Sequence, residues 1–222
     1  MPILKVAIVL NYGIWSLTDI PPQWVLELYT YWNKVGFELP KRGIGRVISA
    51  GGRRYGRPSE ASTTAELLGE RFDFYAQMFR ARGVEVPDLN LVLQETGRNT
   101  WQNLVHSCYR YEHETREARA QGTNLQLFIF GDAAKKRQIE LWMPIILGQT
   151  FGAHANRVKP VVVPIQFYDS LRFARRLSTA EGLVGYLSPG YRRRMEEAGP
   201  GYNSPFHSAV APWVKRFTGK DM

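Results

Sequence analysis

The sequence predicts an α/β protein whose parallel sheet is covered by helices on both faces. Five short apolar stretches have the length of buried strands, and longer amphipathic stretches separate them. Short apolar strands that alternate with helices are typical of parallel sheets in α/β folds. Polar turns also follow several of these strands, and ligands of such sheets bind beyond the carboxyl ends of the strands.

The apolar and amphipathic stretches alternate along residues 1–166. Strands are predicted at residues 4–10, 46–50, 89–94, 125–130 and 158–166. Helices are predicted at residues 22–35, 59–82, 100–120 and 133–147. Residues 167–222 are instead rich in Gly, Pro, Arg and aromatic residues, with short helices expected near 170–186 and 207–217. We therefore expect a domain at 1–166 followed by a basic, aromatic-rich C-terminal extension at 167–222.

The composition is that of a globular protein without disulfide bonds or a transmembrane segment. The 222 residues, 44% of them hydrophobic, suffice for an ordinary globular core. Cys108 is the single cysteine, which excludes an internal disulfide framework and fits a reducing, cytoplasmic setting. The apolar run at 4–10 is far too short to cross a membrane, and we expect no transmembrane segment. A net charge of +9 favours polyanionic partners, whether nucleotides, nucleic acid or an anionic membrane surface. The oligomeric state stays open.

The first polar turn joins the strand at 46–50 to the next helix. Gly51 and Gly52 allow positive φ and close backbone approach. Ser59 is placed to cap the helix, whose N-terminal amides and positive dipole end face the turn. Arg53, Arg54 and Arg57 add cationic donors suited to phosphate or carboxylate. The turn therefore predicts an anion site, and a tight turn with a simple N-cap is the alternative.

A second polar turn, at residues 95–103, has the same strand-to-helix context. Asn99 and Gln102 form a capping box, which explains part of the pattern. Asn99 and Asn103 are four residues apart and project from the same side of the helix. Glu95 and Arg98 lie in the loop itself. Four polar side chains exceed what a cap needs, so we predict that this turn contributes to a ligand site.

A third turn follows the strand at 125–130. Asp132 is the expected N-cap, and Lys135 and Arg137 either face a bound anion or lie on an exposed helix surface.

Glu60 begins the helix after the first turn, where it either offsets the helix dipole or accepts hydrogen bonds from a ligand. Metal binding is not predicted, because the four histidines show no compact ligand spacing.

The order of these motifs resembles the YdcF-like family of bacterial domains of unknown function, which includes SanA-type proteins. The matching motifs are Ser-x-Gly-Gly at 49–52, Arg-Pro-Ser-Glu-Ala at 57–61 and Glu-x-x-x-Asn-Thr-x-x-Asn at 95–103. The resemblance covers residues 4–166. It implies a three-layer Rossmann-like fold with a mainly parallel five-stranded sheet and a polar pocket. It also implies a nucleotide-like ligand such as S-adenosylmethionine and, in some members, a link to bacterial envelope biogenesis.

The residues of the family motifs match this sequence position by position, with one departure. Glu60, Glu95, Asn99 and Asn103 match the acidic residues and asparagines of the family motifs, and Asn11 stands at its opening turn. The family commonly has a histidine in a His-x-x-Arg motif after the fourth strand. Here residues 134–137 keep the arginine and have alanine in place of the histidine. We therefore expect ligand binding with poor turnover.

The predicted site combines the three turns. Its ligand-binding residues are expected to be Asn11, Gly51, Gly52, Arg57, Ser59, Glu60, Arg98, Asn99, Asn103 and Arg137. Any catalysis would use Glu60 or Glu95 as the general base, with arginines stabilising negative charge. The leading hypothesis is thus a protein that binds a small anionic metabolite.

The alternative hypothesis is an adaptor for nucleic acid or an anionic surface. The C-terminal extension interleaves aromatic residues and cations at 191–194 and 213–217, as base stacking and phosphate contacts require. A surface helix whose aromatic side packs on the domain explains the same pattern.

Overall fold

Five parallel strands form the centre of the molecule. The computed structural model describes residues 2–11, 22–53, 58–166 and 172–198, and only the backbone of 22–27 and 172–178. The strands are β1 (Ile3–Leu10), β2 (Arg46–Ala50), β3 (Asn90–Gln94), β4 (Asn124–Asp132) and β5 (Val158–Ile165). They form one sheet in the order β3-β2-β1-β4-β5, with every neighbouring pair parallel. The predicted α/β class and five-stranded sheet are confirmed.

The strand order creates a topological switch point. β1 pairs with β2 on one side and with β4 on the other, so the chain builds the sheet outward in opposite directions from its centre. In open α/β sheets, ligands bind at such a point, outside the carboxyl ends of the strands.

Helices cover both faces of the sheet. They are α1 (Pro22–Lys41), α2 (Glu60–Arg80), α3 (Thr100–Ala120), α4 (Lys136–Phe151), α5 (Arg172–Leu187) and α6 (Pro189–Glu196). A short 3₁₀ helix at Ala133–Lys135 precedes α4, where the sequence predicted one continuous helix. A second, at Gly152–Arg157, leads into β5. No helix in these described ranges is long and apolar enough to cross a bilayer.

Alternation along the strands divides the core between the two faces. In β1, Val6 and Ile8 pack with α3 and α4, and Ala7 and Val9 pack with α1 and α2, because successive strand residues point to opposite faces. Cys108 is buried on the α3 side, and burial raises the pKa of its thiol to about 12. The cysteine is therefore a packing residue, as expected for an unreactive buried thiol.

The described part of the C-terminal extension packs on this core. The indole Nε1 of Trp142 in α4 donates to the carbonyl of Gly182 in α5 at 3.2 Å. The buried carboxylate of Glu181 accepts from Gln138 Nε2 at 2.9 Å and from the Tyr191 hydroxyl at 2.8 Å. Tyr191 and Met195 belong to the hydrophobic cluster of α3 and α4. Residues 172–198 thus add two helices outside the α3 and α4 layer.

Helix α6 was not predicted. Residues 187–191 had indicated irregular chain, because they contain serine, proline and glycine in succession. In the structure the Ser188 hydroxyl caps the helix by accepting from the Tyr191 amide at 3.2 Å, and Pro189 occupies the first turn. Proline is favoured there since its missing N–H would have no helical partner. The helix expected at 207–217 lies outside the described residues.

Candidate functional site

The first polar turn holds the start of α2 through its backbone. The amides of residues 60–63 donate to the carbonyls of Gly52 and Gly51 and to the side chain and carbonyl of Ser59, at 2.9 to 3.4 Å. All four N-terminal amides of α2 are therefore satisfied within the protein. The expectation that they would face a bound anion is wrong. Only the helix dipole and nearby side chains could act on a ligand here.

Glycines in the two turns allow them to touch. A Cβ on Gly51 would lie 2.6 Å from Glu60 Cβ, and a Cβ on Gly52 would overlap the carbonyl oxygen of Gly97. A Cβ on Gly97 would overlap the side-chain oxygen of Asn103. Gly51 and Gly52 do not adopt positive φ, contrary to the sequence expectation. Close approach is thus the reason for glycine here, and it brings the two turns side by side at the carboxyl edge of the sheet.

Asn11 joins three elements below these turns. Its side-chain Nδ2 donates to Ser49 Oγ at 2.9 Å, and its Oδ1 accepts from Thr64 Oγ1 at 3.0 Å. Its backbone amide donates to the Ala50 carbonyl at 2.9 Å. Asn11 is buried, and both ends of its amide are bonded to protein. The geometry gives it a structural role in tying β1, β2 and α2 together.

Glu95 connects the second turn to the first. Its carboxylate accepts from Ser59 Oγ at 2.5 Å and from Arg53 Nη2 at 3.1 Å. The hydrogen bond from Ser59, helped by Arg53, holds the pKa of Glu95 below its ordinary value. A carboxylate that stays ionised and bonded to two partners is a weak proton acceptor. The contacts therefore favour a structural role over the predicted role of general base.

Asn99 and Gln102 bind the C-terminal end of α6. Asn99 Oδ1 caps α3 by accepting from the Gln102 amide at 2.9 Å, and its Nδ2 donates to the Met195 carbonyl at 3.0 Å. Gln102 Nε2 donates to the carbonyls of Glu196 and Ala198 at 2.9 and 3.1 Å. Both polar ends of Asn99 are engaged, so the structure gives no support to its predicted contact with a ligand.

This contact explains the excess of polar side chains in the second turn. The carbonyl end of α6 carries the negative end of its dipole, and the amino end of α3 carries the positive end of its own. Trp101 Nε1 adds a hydrogen bond to Glu196 Oε1 at 3.3 Å. The polar groups therefore satisfy two helix ends rather than one. Sequence reasoning missed this because the partners are more than 90 residues apart.

Asn103 differs from Asn99 in having an unused acceptor. Its side chain is buried, and its Oδ1 has no hydrogen-bond partner in the described part of the chain. The Oε1 atom of Gln94, at the end of β3, is buried and unpartnered in the same way. A buried acceptor without a donor costs about 1–3 kcal/mol. Ligand binding by Asn103 therefore stays a prediction.

A polar cluster next to Asn103 was not predicted. Gln94 Nε2 lies 2.6 Å from Thr96 Oγ1 and 3.1 Å from His106 Nδ1, and Thr96 Oγ1 lies 3.0 Å from the same ring nitrogen. Burial lowers the pKa of His106 below its ordinary value of 6.5. Sequence reasoning considered His106 only as a metal ligand. Its position one turn after Asn103 was the available signal.

The low pKa of His106 predicts a loss of stability in mild acid. The unfolded chain binds a proton near pH 6.5 and the folded chain only at lower pH, so stability is complete above that pH and declines as the pH falls. We expect urea unfolding at pH 7.5 and pH 5.5 to differ less for His106→Gln than for the natural chain. An equal pH dependence in both proteins would contradict the assignment.

The third turn meets α3 across the switch point. Asp132 Oδ1 accepts from the Ala134 amide at 2.9 Å, and Lys135 Nζ donates to Thr100 Oγ1 at 3.0 Å. Ala134 is buried, so a histidine in its place would have to displace its neighbours. The position of the family histidine is thus closed to a larger side chain.

The structure describes two of the three arginines that were predicted to bind a ligand. Arg98 is exposed beside the first turn, where its Nη1 donates to the Arg53 carbonyl at 3.2 Å. Arg137 instead lies on the exposed surface of α4, 3.4 Å from Glu140 Oε2. This ion pair does not support a contact of Arg137 with a ligand, and its site role stays a prediction. Arg57 lies outside the described residues.

No family model and no curated sequence matches this chain. The resemblance to the YdcF-like family therefore rests on the motifs quoted above and stays a prediction. Within the described ranges, no three His, Cys, Asp or Glu side chains are grouped so that they could hold a metal ion. The candidate site is thus defined by the contacts among its own residues, which lie at the carboxyl ends of β1, β2, β3 and β4.

Proposed function

We propose that this protein binds an anionic, nucleotide-like small molecule in the crevice between the carboxyl ends of β1 and β4. The observation that carries the proposal is the hydrogen bond of 3.0 Å between Lys135 Nζ and Thr100 Oγ1. Thr100 is the first residue of α3. An ammonium group is thereby held beside the positive end of a helix, at the switch point of a parallel sheet.

Electrostatics favours an anion at this place. The Lys135 ammonium is a positive centre, whereas the amino end of α3 is already met by the carbonyl end of α6. A phosphate or carboxylate beside Lys135 would accept hydrogen bonds from its ammonium group and from the Thr100 hydroxyl. The exposed guanidinium group of Arg98 adds positive charge beside the first turn, whereas that of Arg53 is paired with Glu95 at 3.1 Å. The charge pattern thus supports an anionic ligand over a neutral one.

The breadth of the site supports a ligand larger than phosphate. Asn103 lies one helical turn after Thr100, about 5–6 Å away between Cβ atoms, and it meets Gly97, which in turn meets Gly52. A phosphate near Lys135 would leave the remainder of a nucleotide directed toward Asn103, whose Oδ1 needs a donor. S-adenosylmethionine, the ligand implied by the family resemblance, is a second candidate because its carboxylate can take the same place.

Binding is proposed rather than turnover. Glu95 is an ionised carboxylate with two protein partners, and Ala134 is buried where the resembling family has a histidine. Glu60 is the remaining predicted base, and it packs against Gly51 at the start of α2. None of these contacts favours proton transfer to a ligand.

Nucleic-acid binding through the extension has less support. Tyr191 is buried and its hydroxyl donates to Glu181, so its ring is not free for stacking on a base. Arg192 donates to backbone carbonyls of α5. The aromatic residues at 213–217 lie outside the described part.

Titration calorimetry with inorganic phosphate, adenosine monophosphate, adenosine triphosphate and S-adenosylmethionine tests the proposal. We expect Lys135→Gln to weaken binding of the best of these ligands by about tenfold, since a charged hydrogen bond contributes about 1.5–3 kcal/mol. Lys136→Gln is the matched control, because Lys136 is exposed and lies 3.7 Å from Glu140. Equal loss in both variants, or no binding of any of the four ligands, would refute the proposal.

A further inference from the structure

We propose that the corner between α5 and α6 binds the surface of an anionic lipid bilayer. This inference is independent of the ligand site, since the corner lies outside the α3 and α4 layer and shares no residue with the three turns. It rests on an exposed apolar helix face, on arginines beside it, and on the firm attachment of both helices to the core.

The last turns of α5 expose only apolar residues to solvent. Leu183, Val184, Tyr186 and Leu187 are all exposed, and 73% of the surface of Leu187 is accessible. Successive helical residues are rotated by about 100°, so these four cover an arc of about 160°. Outward faces of surface helices normally carry polar residues. A contiguous apolar face of this kind marks a place of interaction.

The packing of α5 leaves this face free of the core. Glu181, Gly182 and Gly185 form the opposite side of the helix, and Gly185 lies so close to Trp142 that a Cβ would be 2.5 Å from the indole nitrogen. Trp142 also donates to the Gly182 carbonyl. The buried side of α5 is therefore fixed, and rotation of the helix could not hide the apolar arc.

Cations lie directly beside the apolar arc. Arg192 Nη1 donates to the carbonyls of Gly185 and Tyr186, both at 2.8 Å, which fixes its charge at the end of α5. Arg193 and Arg194 are exposed on α6, where Arg193 pairs with Glu197 at 2.9 Å. Residues 192–197 hold three arginines and two glutamates. The apolar arc is thus bordered by the fixed charge of Arg192, and α6 adds exposed arginines.

This combination fits an anionic bilayer better than other partners. Aliphatic side chains next to arginines insert into the headgroup region, where they lose contact with water while the cations meet lipid phosphates. Nucleic acid requires phosphate contacts and rings for stacking, whereas three of the four residues of the arc, Leu183, Val184 and Leu187, are aliphatic. A second copy of the chain would bring the same arginines together, which is unfavourable.

Flotation with lipid vesicles tests the inference on the full chain. We expect the protein to bind vesicles of phosphatidylcholine with about 30% phosphatidylglycerol, to bind pure phosphatidylcholine weakly, and to be released by high salt. The double variant Leu183→Ser and Leu187→Ser should reduce binding by about tenfold or more, because it removes the inserted apolar area. Arg193→Gln with Arg194→Gln should reduce binding to the anionic vesicles alone.

A matched control is available on the opposite face of the sheet. Phe74 and Met78 are exposed apolar residues of α2, and the double variant Phe74→Ser and Met78→Ser should leave vesicle binding unchanged. Lys135→Gln should also leave it unchanged, which separates this inference from the proposed ligand site. The inference is overturned if the natural protein does not bind anionic vesicles, or if both serine pairs reduce binding equally. A concentration-dependent dimer that only the α5 variant abolishes would also overturn it.

Discussion

Replacing Gly52 with alanine is expected to lower the free energy of unfolding by about 3 kcal/mol or more. The added Cβ would overlap the carbonyl oxygen of Gly97, which belongs to the backbone of the second turn. Gly52 O also accepts from the Glu60 amide at 3.1 Å, so a shift of Gly52 would disturb the start of α2. Neither turn can move without breaking hydrogen bonds. Urea unfolding followed by circular dichroism measures the loss.

Gly69→Ala is the control for this prediction. Gly69 lies inside α2, and a Cβ there would meet no atom within 4 Å. Alanine is favoured over glycine in a helix by about 0.8–1.0 kcal/mol, so this variant should be slightly more stable than the natural chain. If Gly52→Ala unfolds at the same urea concentration as the natural protein, the two turns are not in the close contact described.

Asn99→Ala is expected to cost about 2 kcal/mol, and Asn103→Ala less than about 1 kcal/mol. Asn99 caps α3 and holds the Met195 carbonyl. A cap contributes about 1 kcal/mol and a further hydrogen bond a similar amount. Asn103 Oδ1 has no partner among the described residues, so its removal breaks no hydrogen bond through that atom.

The two variants should separate in binding as well as in stability. We expect Asn103→Ala to weaken nucleotide binding at temperatures where it is fully folded, because its amide oxygen is the unpaired acceptor at the site. Thermal unfolding and calorimetry on the same samples provide both measurements. Equal falls in melting temperature for the two variants would assign Asn103 to the structure of α3 instead.

The fold was predictable because local patterns and tertiary packing agree for most elements. The bounds of β2 and α3 are those expected from the sequence, since strong apolar periodicity and a clear N-cap define them. Helix α1 was predicted to end at residue 35, before Gly36 and Pro40. It continues to Lys41 because Gly36 packs against Arg71 of α2, where a Cβ would lie 2.5 Å from Arg71 Cβ. Glycine here signals helix contact, which local propensity cannot reveal.

The sequence predicted where the polar turns lie in the fold, but not the contacts of their individual side chains. The parallel direction of the strands follows from the α/β pattern, and it brings the turns after β2 and β3 to one edge. The partners of individual side chains depend on distant segments, as when Asn99 binds the Met195 carbonyl. For Lys135 and Arg137 the sequence left open whether they face a bound anion or lie on an exposed helix surface. Lys135 contacts Thr100 at the switch point, and Arg137 is exposed and lies 3.4 Å from Glu140.

A crystal structure of the protein with adenosine monophosphate would locate the proposed ligand site. We expect the phosphate to lie within hydrogen-bond distance, about 3 Å, of Lys135 Nζ and Thr100 Oγ1. The base should extend along the edge of the sheet toward Asn103. A nucleotide bound elsewhere on the molecule, or an empty crevice at a concentration that saturates binding in solution, would contradict the account.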